Sequence, residues 1–149
     1  MSVVVRGITR TEVPDAVALI VEGTLAPGSE RPEDVDAYWR AALATRDRGG
    51  EVLVAVDGVV VVGVCQVLIF PHFQHAGGWC CELESVYVRG DRRGGGIGSA
   101  MLRAAELLAR DAGCYRIQLT SRNPRLDAHR FYRALGFEQM SQGFKKTLV

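Results

Sequence analysis

The sequence lacks a charge imbalance, a long apolar run and paired cysteines, and each shortage closes off a class of function. Lys and Arg number 18 against 17 Asp and Glu, a formal net charge of +1. No global positive field therefore recommends nucleic acid as a partner. No apolar run reaches the ~18 residues that a membrane span needs, so a membrane is not an expected partner either. The N-terminal MSVVVRGITRTEV lacks the basic, apolar and small-residue regions of a secretory signal, which makes the cytoplasm the expected compartment. Cys65, Cys80, Cys81 and Cys114 include no C-x-x-C pair. They read as reduced, buried thiols, with Cys80 and Cys81 on opposite faces of a strand. There is no internal repeat and no linker-like break, and 149 residues suit one domain spanning 1–149. A chain of that size can bury roughly 70% of its unfolded surface, enough for a core without staples.

What is present is a regular succession of elements. Val3-Val4-Val5 reads as a first strand. Thr11 as cap and Pro14 in the first turn open a helix whose apolar side is Ala16, Val17, Leu19, Ile20 and Val21. After a loop over 24–31, a second helix is expected from Pro32 to Thr45, acidic in its first turn. Two apolar runs, 51–56 and 59–69, flank Asp57-Gly58, a hairpin signal. The valine-rich second run suggests a central strand covered on both faces. Residues 70–78 read as loop and 79–88 as a strand. Ile97, Met101, Leu102, Ala105, Leu108 and Ala109 recur at helical spacing, a strand follows at 115–120, and a last helix runs to Leu135 with Gly136 as its left-handed cap. Residues 137–149 are expected to supply one or two closing strands. The pattern is mixed α/β: an antiparallel meander, then a strand–helix–strand unit.

Between the 79–88 strand and the following helix stands VYVRGDRRGGGIGSAML, with Gly94, Gly95, Gly96 and Gly98 crowded behind Arg92 and Arg93. The stretch has no lysine, so it is not a Walker loop, and the dinucleotide G-x-G-x-x-G pattern fails in either register because Ser99 or Met101 stands where glycine is required. What does fit is an anion site. Successive N–H groups at a helix start attract negative charge, missing Cβ atoms let a bulky diphosphate approach, and Arg93 adds a bidentate fork.

Arg93-Gly94-Gly95-Gly96-Ile97-Gly98 resembles the (Arg/Gln)-x-x-Gly-x-(Gly/Ala) signature of the GNAT superfamily of N-acetyltransferases. Upstream, Glu82-Leu83-Glu84-Ser85-Val86-Tyr87-Val88 is similar to that superfamily's fourth strand. Downstream, Ala128-His129-Arg130-Phe131-Tyr132-Arg133-Ala134-Leu135-Gly136-Phe137 is similar to its A-x-x-x-Y-x-x-x-G-F segment. The resemblance implies a central mixed sheet of six or seven strands flanked by about four helices. It also implies acetyl-CoA as acetyl donor, with its diphosphate on the amides of Gly94, Gly95, Gly96, Ile97, Gly98 and Ser99 and its pantetheine arm along Val86, Tyr87 and Val88. A homodimer is an expectation by resemblance alone.

Acetyl transfer to an amine needs a base for the ammonium, a donor for the developing oxyanion and a proton for the leaving thiolate. Glu82 and Glu84, two apart on one strand, should share a face with Val86 and Val88, and either could serve as base. The resemblance implies Tyr132 as acid to the coenzyme thiolate and a backbone N–H near Val86 to Val88 as oxyanion donor. Where many superfamily members carry asparagine, this chain has Arg125; Asn123 either caps a helix or reaches the coenzyme. His72-x-x-His75 with Cys80 and Cys81 lacks the paired spacing of a zinc site, and no metal is expected. The 71–78 loop, Tyr38, Trp39 and the 24–31 loop are candidates for the acceptor wall. The expected function is N-acetyltransfer from acetyl-CoA to a primary amine of a small molecule or peptide by direct attack. The alternative is a non-catalytic acyl-CoA-binding module.

Overall fold

The computed structural model describes residues 2–121 and 126–149. Five strands form one sheet in the order β1-β2-β3-β4-β5: β1 (Val3–Gly7), β2 (Glu51–Asp57), β3 (Val60–Pro71), β4 (Trp79–Val88) and β5 (Cys114–Leu119). The first four pair antiparallel, and β4 pairs β5 in parallel. A parallel neighbour requires a crossover, which is the helix α4 (Ile97–Asp111). The other helices are α1 (Val13–Gly23), α2 (Val35–Asp47), a single turn α3 (Gln74–Gly77) and α5 (Leu126–Ala134).

β3 is the spine of this arrangement. Val62, Val64, Cys65 and Val67 are at most 2% exposed, because α1 and α2 cover one face and α4 the other. α4 lies close because Gly63 has no side chain: a Cβ there would stand 2.9 Å from Met101 Sδ and 3.2 Å from Ala55 Cβ. Met101 is fully buried, a contact worth about 2–3 kcal/mol. On the opposite face Val13, Ala16 and Val17 of α1 meet Val54, Val56 and Val64. Among the described residues no helix is long and apolar enough to cross a membrane.

Several boundaries move from their sequence expectations. α1 is entered through a 3-10 turn, Arg10–Glu12, and its device is Thr9 rather than Thr11: the Thr9 N–H donates to the Glu12 carboxylate at 2.9 Å and the Glu12 N–H to the Thr9 carbonyl at 3.1 Å. This reciprocal pair is a capping box, with threonine and glutamate three residues apart. α2 starts at Val35, not Pro32, because Asp34 accepts from the Ala37 N–H at 3.1 Å, a cap worth ~1 kcal/mol.

The larger differences concern strand and helix count. Five strands stand among the described residues instead of six or seven, and 138–149 form no strand. The apolar residues there are scattered and stay out, with Met140 83%, Phe144 96% and Leu148 87% exposed. Without a buried face the tail lacks the packing that stabilises a strand. The fifth helix is the turn α3, inside which His75 and Ala76 take φ of 54° and 55°.

Candidate active site

The site is organised by an irregularity in β4. Its register with β3 slips: Val64 opposes Tyr87 and Gln66 opposes Glu84, so Ser85 and Val86 together face Cys65. Ser85 takes φ 54°. One extra residue makes a β-bulge and reverses the alternation beyond it. Cys81 and Leu83 pack toward α4, and so do Val86 and Val88, whereas Tyr87 packs toward α1. The expectation that Glu82 and Glu84 share a face with Val86 and Val88 is therefore wrong. The carboxylates lie on the α1–α2 face with Gln66, and the valines lie on the α4 face.

Just before the bulge β4 also loses its neighbour. Its ladder with β5 runs only from Trp79 to Leu83. From Glu84 to Val88 the edge toward β5 carries no ladder among the described residues. The Arg89 N–H donates to the Val62 carbonyl at 2.9 Å. Alternation along an antiparallel pair then turns the amides of Val86 and Val88 toward the open edge. An open edge binds an extended chain bearing amides.

That edge leads into the glycine loop. A 3-10 turn, Gly90–Arg92, is pinned from two sides: Glu22 of α1 accepts from the Gly90 N–H at 2.8 Å, and Arg92 pairs with Asp57 at 2.9 Å. Gly94 and Gly96 take φ of 81° and 87°, values costly for any residue with a Cβ. Gly96 is the N-cap of α4 and supplies no side chain, so the first-turn amides of Ile97, Gly98 and Ser99 have no cap hydrogen bond. A helix start with bare amides is an anion site.

The residues of this stretch do different jobs. Ile97 is buried in the α4 core, so only its backbone can face a ligand. Gly98 is small because a Cβ would stand 3.1 Å from Phe131 Cζ. The Arg93 Nε donates to the Val88 carbonyl at 3.2 Å, placing its guanidinium across the junction of edge and loop. The Tyr87 ring lies under Gly23 of α1, where a Cβ would be 2.3 Å away, so its side chain belongs to helix packing.

On the opposite face Gln118 of β5 donates to the Glu82 carboxylate at 2.6 Å. Glu84 is exposed as a residue. Packing around its carboxyl and the neighbouring Glu82 charge nevertheless push its pKa above the usual carboxylate range, with Lys145 of the C-terminal tail acting in the opposite sense. Tyr132 stands on α5 between Phe131 and Phe137, with ring centroids 5.3 and 5.9 Å away. It packs on the same cluster as Val86, Val88 and Ile97. Asn123 lies outside the described residues.

Two hollows flank β4. One of about 230 Å³ lies between α1, α2 and the sheet and reaches Gln66 and Ser85, beside Glu84; Tyr38 lines it. A wider one of about 480 Å³ lies over Pro71, His72, Phe73 and Gly77, at the far end of the strand from the glycine loop. The 71–78 loop does not line the hollow beside Glu84, whereas Tyr38 and Glu30 of the 24–31 loop do. His72 and Tyr115 are hydrogen-bonded, and the His75 ring stacks 4.2 Å from Tyr115. Among the described residues no group of three or more His, Cys, Asp or Glu could hold a metal. Trp39 packs toward α1 and carries Arg46 5.3 Å above its ring.

Sequence reasoning missed the bulge, whose φ follows no residue signal at Ser85, and it missed the hollow, which α1 and α2 enclose only once folded. The chain is similar to known proteins along this same frame. It is 36% identical over 115 residues to an aminoalkylphosphonate N-acetyltransferase of Salmonella typhimurium, covering 77% of this chain and 66% of that enzyme. It is 34% identical over 77 residues to a glucosamine 6-phosphate N-acetyltransferase of Trypanosoma brucei brucei, covering 52% of this chain and 50% of the other. The matches thus span about two thirds or less of these relatives. The crystal structure of a transcriptional regulator from Bacillus halodurans C-125 superposes with a TM-score of 0.90 at 33% identity, covering 99% of this chain and 100% of that one. The Acetyltransferase (GNAT) family profile matches residues 16–137, and the chain belongs to that family.

Proposed function

We propose that the protein transfers an acetyl group from acetyl-CoA to a primary amine of a small molecule or peptide, by direct attack within a ternary complex. One observation carries the reading: the open edge of β4 runs straight into the uncapped start of α4, while the carboxylates of the same strand face the other way. A linear donor and an amine can then reach one point from opposite sides.

The residues fit such a donor. The amides of Gly94 to Ser99 would hold the diphosphate, and those of Val86 and Val88 the pantetheine amides. Bound acetyl-CoA supplies an electrophilic thioester carbon and, after transfer, a thiolate. Glu84, or Glu82 beside it, takes the proton that an ammonium must lose before its nitrogen can attack. A carboxyl held above its usual range is a stronger base once ionised. A backbone N–H at the bulge meets the negative charge growing on the carbonyl oxygen. As the N–C bond forms and the C–S bond breaks, the Tyr132 hydroxyl gives its proton to sulfur, and the nitrogen loses its second proton to the tyrosinate so formed, which leaves a neutral amide and a free thiol. Four free cysteines suit a reducing compartment, and we place the activity in the cytoplasm.

A thiol-release assay with a panel of amines tests this. Double-reciprocal plots at several acetyl-CoA concentrations should intersect; parallel lines would exclude a ternary complex. A second reading, acyl-CoA binding without turnover, draws on the Bacillus halodurans structure being described as a transcriptional regulator. It predicts thermal stabilisation by acetyl-CoA, about 2.7 kcal/mol at a hundredfold excess over Kd, with no thiol released for any amine.

A further inference from the structure

We infer that the acceptor is a cationic primary amine on an apolar aryl or alkyl tail, with the tail in the hollow under α1 and α2 and the amine at Glu84. The inference rests on the acetyl-transfer reading and names its substrate class.

The walls decide the tail. Val13, Ala16, Val17, Ala42, Val52 and Val64 line the hollow, and all but Val52 are fully buried. Two of the polar side chains on the wall are engaged by the protein. Gln66 Nε2 donates to Thr45 Oγ1 at 3.0 Å, and the Tyr38 hydroxyl accepts from the Arg31 N–H at 2.9 Å. An apolar cavity of about 150 Å³ is enough for a benzene ring. The 230 Å³ here takes a ring with a short methylene arm, or an alkyl chain of similar bulk.

Charge decides the head. Glu30 lines the hollow, and Glu84 sits next to the lining residue Ser85 with Glu82 beside it. No lysine or arginine lines the hollow among the described residues. A phosphonate or sugar phosphate there would give up its hydration to face valines and the carboxylates of Glu30, Glu82 and Glu84, whose charge Lys145 near Glu84 offsets only in part. An ammonium is drawn to the same carboxylates, and its tail gains by leaving water. The two relatives are named for a phosphonate and a phosphate amine; this hollow has the opposite chemistry.

The test compares 2-phenylethylamine with 2-aminoethylphosphonate and glucosamine 6-phosphate as acceptors for the intact chain. Phenylethylamine should have kcat/KM at least tenfold above both. Ala41 lines the hollow from an exposed position on α2. Ala41→Phe should therefore raise the KM for phenylethylamine at least tenfold while the acetyl-CoA Kd stays within twofold. Glu30→Gln, which adds no bulk, should raise that KM several-fold. Equal or better use of either phosphorylated amine overturns the inference. So does an unchanged KM in both variants, or acetyl-CoA binding with no turnover of phenylethylamine. Failure of acetyl-CoA to bind overturns the acetyl-transfer reading itself and this inference with it.

Discussion

Gly96→Ala separates the strain in the glycine loop from its role as an anion seat. Gly96 takes φ 87°, and a Cβ there would meet no protein atom within 4 Å. The stability cost is then backbone handedness alone, about 1–2 kcal/mol for an L-residue in that region. Some of that is offset, because alanine restricts the unfolded chain. A net loss near 1 kcal/mol lowers Tm by about 2–4 °C in a domain of this size. Gly136 is the internal control: φ is 90°, a Cβ would again meet nothing, and its N–H closes the end of α5 on the Arg133 carbonyl at 3.0 Å. Gly136→Ala should show the same Tm loss. Only Gly96→Ala should also raise the KM for acetyl-CoA, by tenfold or more. Its methyl stands in the open space before the α4 amides, and relief of the strain would turn those amides away. Scanning calorimetry measures the first quantity and initial rates against acetyl-CoA the second. Equal Tm losses with an unchanged acetyl-CoA KM in both variants would refute the assignment of the loop to the diphosphate.

Three further outcomes follow from the site and the core. Glu84→Gln should lower kcat/KM about a hundredfold and remove the acid limb of its pH profile. That limb lies above the usual carboxylate range, because the base form fills only as pH rises through a raised pKa. The same raised value means the charge opposes folding, so the variant should not lose stability at neutral pH. Tyr132→Phe should lower kcat by tenfold or more while the acetyl-CoA Kd, read by titration calorimetry, holds; an unchanged kcat removes the tyrosine from proton transfer. Burial pushes the Cys65 and Cys81 thiols up to about 12, so Ellman's reagent at pH 8 should leave both unmodified in the native protein and react with all four cysteines after denaturation.

Legibility in the sequence followed how local each cause is. β4 was expected at 79–88 and is Trp79–Val88. The hairpin around Asp57-Gly58, the α4 crossover and the glycine cap at Gly136 each have a short-range cause: a turn dipeptide, a 3.6-residue repeat, a residue free at φ 90°. The four glycines looked alike in sequence and differ in the fold. Gly94 and Gly96 are there for handedness, and Gly98 is there because Phe131 of a later helix needs the room. That second reason is tertiary, and no neighbouring residue announces it. The expected closing strands fail for a related reason: Phe137 packs on the core, but the residues from 138 to 149 gain no covered face.

The bulge at Ser85 shows why an error of one residue matters more at the site than several residues at a helix end. With strict alternation, Glu82, Glu84, Val86 and Val88 would all face one way, and the proposed base and donor-binding residues would share one side of the strand. The extra residue turns the two valines toward α4 and leaves the carboxylates toward α1 and α2. The parallel ladder to β5 stops at Leu83, just before this slip, so the edge opens where the parity changes. A non-glycine residue at φ 54° costs about 1–2 kcal/mol. That strain yields one strand with an open edge, two carboxylates on one face and a packed helix on the other. Ser85→Gly should therefore relieve strain and raise Tm by a few degrees while it loosens the bulge. The loosening should appear as a lower kcat for every amine, with the acetyl-CoA Kd nearly unchanged. A variant that is more stable and equally fast would show that the bulge does not align base and donor.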